Sequence, residues 1–201
     1  MIRHRIRNLA LVLVSLLCLA FTGGVVATLI VKPEAFRSAI GGPFALEDIE
    51  GRRITEADYR GRFMMLYFGY TYCPDVCPTR LQEMTLALEA LEAEAPELAA
   101  RITPVFVTVD PRRDTREALR AYAAHFHPRL EALRGSEAEV AEVVRSFQGY
   151  VNYVPQADGA DYLVDHTVYV YLMGPDGAYL THFTAFDDET EMTARLARLT
   201  D

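Results

Sequence analysis

The sequence predicts an α/β domain that follows a single N-terminal transmembrane helix. Two observations predict the domain: apolar runs of strand length alternate with longer segments of helical periodicity, and the chain ends in a hairpin pattern followed by one more helix. A third observation predicts the membrane anchor, because three arginines precede an uncharged apolar run of 23 residues. The length of 201 residues and the charged content of 24% fit one globular domain.

The N-terminal segments differ sharply in charge. Residues 1–8 are basic, and residues 9–31 carry no charge and are long enough to cross a bilayer core of roughly 30 Å. Arginines before the span predict a cytoplasmic N-terminus and an exported C-terminal part. A cleaved signal peptide is the alternative, but its cleavage site would be poor and the apolar run continues well beyond it. The expected order is a cytoplasmic segment (1–8), an uncleaved anchor (9–31), a short tether (32–41) and the domain (42–201).

The exported part of the chain is strongly acidic. Residues 32–201 keep 17 of the 20 basic residues and all 28 acidic ones, a net charge of −11. This balance excludes nucleic acid and anionic lipid as expected ligands. It suits a cationic ligand or a basic patch on a partner, although solubility alone explains it equally well. The N-terminus lacks the pattern of an organelle transit peptide, so the predicted location is a bacterial inner membrane with the domain in the periplasm.

The first half of the domain contains two strongly apolar strands. A hairpin is predicted at 44–48 and 53–55, because a Glu-Gly turn separates two short strand-like segments. The run at 63–68 is apolar without a break, as expected of a central strand buried on both faces. Residues 78–94 place their large apolar side chains on one helical stripe. A second apolar strand is predicted at 103–109.

The second half repeats the alternation and closes with a hairpin and a helix. Asp114 is the predicted N-cap of one helix, and Ser136 with Glu139 has the pattern of a capping box at the start of the next. The predicted elements are a helix at 115–126, a strand at 130–133, a helix at 136–147, strands at 167–173 and 178–183, and a helix at 189–199. Strands that alternate with helices in this order predict a thioredoxin-like fold.

Two cysteines lie between the central strand and the helix that follows it. Cys73 and Cys77 are separated by three residues, and each is followed by proline. Pro78 suits the first helical position, which makes Cys77 the predicted cap, where unpaired N–H groups and the helix dipole favour a thiolate. The turn at 74–76 brings Cys73 back towards Cys77 at the carboxyl end of a strand, where open α/β folds bind ligands.

A thiol pair at this spacing has three uses. A structural disulfide would gain little, because it closes a very short loop. Dithiol exchange is a stronger alternative, although exchange enzymes of the thioredoxin type have two intervening residues where this chain has three. The additional residue leaves room for an ion between the sulfurs, and two thiolates suit Cu(I) or Zn(II). Metal binding and redox exchange therefore both stay open.

A third metal ligand would have to come from a distant part of the chain. Of the five histidines, His4 lies on the cytoplasmic side of the anchor, and His125 and His127 face different sides of one predicted helix end. His182 lies late in the closing hairpin, where a surface position is expected. His166 directly precedes a β-branched and aromatic strand whose start lies beside the cysteine loop in a thioredoxin-like sheet. It is the candidate third ligand, although spacing alone leaves a bystander role equally open.

Three stretches of the chain resemble one protein family. They are YFGYTYCPDVCPT (67–79), VTVDPRRDT (107–115) and YLVDHTVYVYLMGPDG (162–177). Together they resemble the Sco/SenC family, and the resemblance extends over essentially all of residues 42–199 and the preceding anchor. The combination of C-P-D-V-C-P-T with a downstream D-H-T is specific, unlike an isolated pair of cysteines at this spacing.

The resemblance implies a function and a set of site residues. It implies a thioredoxin-fold copper chaperone for cytochrome c oxidase assembly, with Cys73, Cys77 and His166 as copper ligands. The expected cargo is Cu(I), with Cu(II) binding also known for the family. The expected partners are oxidase subunit II, which would receive copper at its binuclear copper-A site, and an upstream copper donor protein. The alternative function is a thiol–disulfide oxidoreductase that uses Cys73 and Cys77 as a redox pair to reduce the acceptor cysteines.

Overall fold

The computed structural model describes residues 40–156 and 162–198. The strands are β1 (Ala45–Asp48), β2 (Arg53–Thr55), β3 (Phe63–Gly69), β4 (Ile102–Thr108), β5 (Glu131–Arg134), β6 (Val151–Pro155), β7 (Tyr162–His166), β8 (Val170–Met173) and β9 (Tyr179–Phe183). The helices are α1 (Val76–Glu94), α2 (Pro96–Ala99), α3 (Arg116–Ala123), α4 (Glu137–Ser146) and α5 (Glu189–Arg198), with one 3-10 turn at Glu56–Tyr59. The predicted anchor at 9–31 lies outside the described residues, and within them no helix is both long and apolar enough to span a bilayer.

Seven strands form one mixed sheet in the order β2-β1-β5-β4-β3-β8-β9. The three strands β3, β4 and β5 run parallel, and β1, β8 and β9 pair antiparallel to their neighbours. Strands β3 and β4 are buried at all seven of their positions, which requires cover on both faces of the sheet. The predicted α/β architecture and its central apolar strand are confirmed.

Edge-to-face aromatic contacts join the sheet to the end of α4. The ring of Phe147 lies 5.6 Å from that of Phe68 on β3 and 5.2 Å from that of Tyr171 on β8. Each fully buried side chain of this size contributes about 1.5–3 kcal/mol through burial, and such ring pairs add about 0.5–1.5 kcal/mol. The start of α4 is set by the predicted capping box, in which Ser136 and Glu139 exchange hydrogen bonds.

Strands β6 and β7 form a separate two-stranded ribbon, which the sequence analysis did not predict. Val151 pairs with His166 at one end of the ribbon, and Pro155 pairs with Tyr162 at the other. The sequence predicts one strand at 167–173, directly after His166. In the structure His166 ends β7 and the next strand begins only at Val170. The half-exposed pattern of β6, which ends on proline, suits a peripheral ribbon and gives a weak strand signal.

Candidate metal centre

The cysteines lie on the connection from β3 to α1. Cys77 is the second residue of α1, which begins at Val76 after Asp75. The predicted cap at Cys77 is therefore wrong by two residues. Proline is tolerated throughout the first helical turn, because N–H groups there have no intrahelical acceptor, so Pro78 allows the helix to begin upstream of it. The N–H of Thr79 donates to the carbonyl of Asp75 at 3.2 Å and closes the first turn.

The structure brings together the three candidate metal ligands that the sequence predicts. The two Sγ atoms of Cys73 and Cys77 and a ring nitrogen of His166 all lie within 4.8 Å of one another. The Sγ of Cys77 is 3.3 Å from Nε2 of His166, and the backbone N–H of Cys77 donates to Sγ of Cys73 at 3.3 Å. Both cysteines are free thiols. In the ranges 40–156 and 162–198, no other three His, Cys, Asp or Glu side chains converge in this way.

His166 is held with one ring nitrogen directed towards the sulfurs. Its Nδ1 lies 3.0 Å from the carbonyl oxygen of Thr167 and donates to it. A proton on Nδ1 leaves the lone pair of Nε2 free to accept from a thiol or to bind a metal ion. The rings of Tyr67 and Tyr70 stand edge-on to the imidazole at 6.1 and 5.8 Å. The ring orientation is thus fixed by one hydrogen bond and two aromatic neighbours.

The two sulfurs have unlike environments. Cys77 is fully buried and Cys73 is partly exposed. The hydrogen bond from the Cys77 thiol lowers the pKa of Cys73 to about 4, with support from the backbone N–H groups of Cys77 and Asp75 and against the cost of burial. The same hydrogen bond and the burial raise the pKa of Cys77. The helix start predicts a thiolate on Cys77, but in the structure the thiolate is on Cys73 and the one shared proton remains on Cys77.

The sulfur of Cys77 lies close against β3, at the position of Gly69. A Cβ atom on Gly69 would lie 3.0 Å from Sγ of Cys77 and 2.7 Å from the ring of Phe106. The hydroxyl of Tyr67, on the same strand, is buried beside Cys77. Burial and the neighbouring Cys77 raise the pKa of this phenol, which stays neutral. The absence of a side chain at position 69 therefore makes the space that the sulfur occupies.

The donor set fits a soft metal ion. Two thiolate sulfurs and one imidazole nitrogen are the ligands that Cu(I) and Zn(II) prefer. Donors within 4.8 Å of one another can surround one ion at bond lengths of about 2.0–2.3 Å after small side-chain shifts. Ligands of this kind must be deprotonated, so binding would release the proton shared by Cys73 and Cys77.

Three other histidines lie away from this cluster, and His4 lies outside the described residues. His127 is buried with its Nε2 3.3 Å from a carboxylate oxygen of Glu92. His182 stacks on the ring of Tyr169 at 4.6 Å, and His125 lines a surface groove beside α1. Their exclusion from the cluster agrees with the sequence analysis.

The residues that surround the cluster were only partly recognised from the sequence. Asp114, the predicted cap of α3, instead accepts hydrogen bonds from Thr71 in the cysteine loop and from Thr108. The cap of α3 is Thr115, whose side chain accepts from Ala118 at 3.2 Å. Asp114 therefore ties the cysteine loop to the end of β4. The signal in the sequence that this loop packs against its surroundings was Tyr70, which precedes Cys73 and is buried.

The chain is similar in sequence to several known proteins. The sequence model described as SCO1/SenC matches residues 32–201. The chain is 40% identical over 160 residues to the mitochondrial protein SCO1 homolog of Homo sapiens, a match that covers 79% of this chain and 52% of the human protein. It spans 52% to 63% of the length of the first curated relatives that it matches.

Two solved structures are similar over nearly their whole length. Copper-bound ScoI of Arabidopsis thaliana superposes with a TM-score of 0.74 at 36% identity and covers 80% of this chain and 99% of that one. Copper-bound ScoI of Bradyrhizobium japonicum gives a TM-score of 0.71 at 41% identity, with coverages of 79% and 98%. The matching sequence model, the close relatives and the shared thioredoxin-like fold together show that this chain belongs to the SCO1/SenC family.

Proposed function

We propose that this protein is a copper metallochaperone that delivers copper to the binuclear copper-A site of cytochrome c oxidase subunit II. The observation that carries the proposal is the convergence of Cys73, Cys77 and His166 within 4.8 Å. Similarity to two copper-bound relatives supports copper as the metal. The family resemblance of the sequence supports the oxidase as the recipient.

The geometry suits an ion that is bound and then passed on. Three ligands hold Cu(I) without filling its coordination shell, so an incoming acceptor ligand can bind before a chaperone ligand leaves. Cys77 is buried, whereas Cys73 and His166 are partly exposed. An acceptor would therefore approach from the side of Cys73 and His166. The same three donors also accommodate Cu(II).

The proposed location is the outer face of a bacterial inner membrane. The basic residues at 1–8 and the uncharged span at 9–31 support a single-pass anchor with the domain in the periplasm. An upstream copper donor protein would load the site there. The acidic domain and the absence of a basic tract in the tether support a protein that does not bind nucleic acid.

A thiol–disulfide oxidoreductase is the second candidate function. Cys73 favours it, because a partly exposed cysteine with a pKa of about 4 is ionised at neutral pH and can attack a disulfide. The position of His166 favours copper instead, since exchange by a dithiol does not require an imidazole at 3.3 Å from the second sulfur.

The variant His166→Ala separates the two functions. Removing the imidazole should lower the Cu(I) affinity of the reduced full-length protein in detergent by more than about 10-fold, measured by competition with a chelator of known affinity. Reduction of a model disulfide should continue at a similar rate, because both thiols remain. The matched control is His182→Ala, which should change neither property.

Cysteine variants complete this test. Cys73→Ser and Cys77→Ser should each abolish both copper binding and dithiol exchange. If His166→Ala keeps full copper affinity and supports oxidase assembly in cells while the cysteine variants fail, copper delivery through this site is refuted and exchange chemistry takes its place.

A further inference from the structure

We propose that Arg113 is a positioning residue for the metal centre, because it fastens the ribbon that carries His166 to the loop that carries Cys73. The proposal rests on the function proposed above and identifies what sets the distance between the histidine and the sulfurs. Arg113 lies on the connection between β4 and α3, outside all three ligand-bearing segments.

The need for such a residue follows from the sheet topology. Strands β6 and β7 pair only with each other and are not part of the seven-stranded sheet. A two-stranded ribbon on its own is marginally stable in water. The segment that carries both cysteines, by contrast, directly follows β3, which lies inside the large sheet between β4 and β8. The position of His166 relative to the sulfurs therefore depends on the short link to β8 and on side chains that join the ribbon to the rest of the domain.

Arg113 contacts both sides of this junction. Its Nη1 donates to the carbonyl oxygen of Tyr162, the first residue of β7, at 2.9 Å. Its guanidinium carbon lies 3.8 Å from the centre of the Tyr162 ring and 5.0 Å from that of Tyr72. Tyr72 directly precedes Cys73, and β7 ends at His166. One side chain thus touches the cysteine loop and the histidine-bearing strand together.

Asp110 completes the junction. This carboxylate is fully buried, forms an ion pair with Arg113, and accepts a hydrogen bond from the Tyr162 hydroxyl at 2.7 Å. The three residues Asp110, Arg113 and Tyr162, which we name the ribbon clasp, close a ring of contacts. The clasp requires a planar cation that can donate in two directions and stack on an aromatic ring, and lysine provides neither the fork nor the flat face.

Loss of the clasp should loosen the ribbon without unfolding the domain. Two further hydrogen bonds remain on the ribbon: Val164 N–H donates to the Tyr70 hydroxyl at 3.3 Å, and the Tyr153 hydroxyl donates to the carbonyl of Val109 at 2.8 Å. His166 would then sample positions away from the sulfurs. We expect the site still to bind copper through Cys73 and Cys77, but the imidazole should contribute less to the copper affinity.

A double-mutant cycle tests the proposal on the full-length protein in detergent. Arg113→Lys should lower Cu(I) affinity by about 10-fold or more, and the same substitution in a His166→Ala background should lower it no further, because the clasp acts through His166. Arg120→Lys is the matched control: this arginine on α3 donates to the carbonyl of Ile49 at 2.7 Å and pairs with Glu50, and its replacement should leave the affinity unchanged. An equal loss of affinity in both backgrounds would overturn the proposal.

Hydrogen exchange of the metal-free protein gives a second, copper-independent measurement. Arg113→Lys should speed amide exchange in β6 and β7, while β3 and β4 stay protected. Tyr162→Leu removes the stacking and the hydroxyl bond to Asp110 but keeps the carbonyl acceptor, so it serves as the second variant if the first fails to fold. Unchanged exchange in the ribbon overturns the clasp even if copper binds, and failure of the parent protein to bind copper overturns the proposed function without affecting this result.

Discussion

The two cysteines differ in protonation because a hydrogen bond joins them, with the Cys77 thiol as donor and the Cys73 thiolate as acceptor. Cys77 is enclosed by α1, β3 and His166, whereas Cys73 is partly exposed on the loop before the helix. A thiolate on Cys73 is stabilised by the Cys77 thiol and by the backbone N–H of Cys77. The exposed sulfur is therefore the reactive one, and the buried sulfur keeps the proton until a metal ion displaces it.

This asymmetry predicts the pattern of thiol alkylation in the reduced, metal-free protein. The pKa of Cys73 is lowered to about 4, so this thiol is anionic at every pH well above 4 and becomes protonated as the pH falls through that value. Its rate of reaction with iodoacetamide should stay nearly constant from pH 8 to pH 6 and decline only as the pH approaches about 4, in contrast to an ordinary cysteine with a pKa near 8.5. Mass spectrometry of the alkylated peptides would measure this, with Cys77 reacting far more slowly. Faster modification of Cys77, or a tenfold fall in the Cys73 rate between pH 8 and pH 7, would contradict the assignment.

Residues with local partners were predictable from the sequence, and residues with distant partners were not. The capping box of Ser136 and Glu139 is confirmed because both groups lie within three positions of each other. Asp114 has the composition of a cap, but its carboxylate is engaged by Thr71, 43 positions away. The position of His166 beside the cysteines is likewise a long-range fact, and it was reached through the family resemblance, since spacing left it open.

Among the secondary-structure elements, the central strands of the sheet were predictable from the sequence and the strands of the ribbon were not. The strands β3 and β4 were recognisable because burial on both faces leaves only apolar residues. The ribbon of β6 and β7 is half-exposed and ends its first strand on proline, so its alternation is weak. The start of α1 lies two residues before the predicted one, because proline suits any position of a first turn.

The close packing of α1 on β3 predicts a large effect from a single methyl group. In Gly69→Ala the new Cβ would lie 2.7 Å from the Phe106 ring and 3.0 Å from Sγ of Cys77, both of them fully buried. The core must shift to accept it, so the free energy of unfolding should fall by about 1–3 kcal/mol and Cu(I) affinity should fall with it. Gly42→Ala is the control, since its nearest neighbour would be an ordinary contact at 3.5 Å. Equal stability of the two variants in urea titrations would show that the sulfur is not confined by this strand.

At the scale of the whole molecule, the sequence divides into an uncharged span and an acidic domain. The structure describes only the domain, so the anchor at 9–31 stays a prediction from the sequence. The described residues contain a complete mixed sheet with its helices, as expected of a unit that folds once it has been delivered to its compartment.

The anchor predicts how the protein fractionates. The full-length chain should sediment with membranes, resist extraction by carbonate and be released by detergent, because roughly 20 apolar residues suffice to span a bilayer. A chain of residues 42–201 should instead be recovered in the soluble fraction with its fold intact by circular dichroism. Recovery of the full-length product as a soluble species that lacks its first twenty or so residues would show that the segment is a cleaved signal.

The contact between Cys77 and His166 joins positions 89 apart in the chain. An unfolded copy presents two thiols close in sequence but no imidazole held beside them, so the three-donor site comes into existence only when β3, α1 and the ribbon are all in place. Metal then binds the native state preferentially, and at a free concentration 100 times the dissociation constant it would add about 2.7 kcal/mol to stability. All three donors can therefore hold the metal only in the folded state. In the proposed metallochaperone, a copy that holds copper on all three donors is one whose folding is complete.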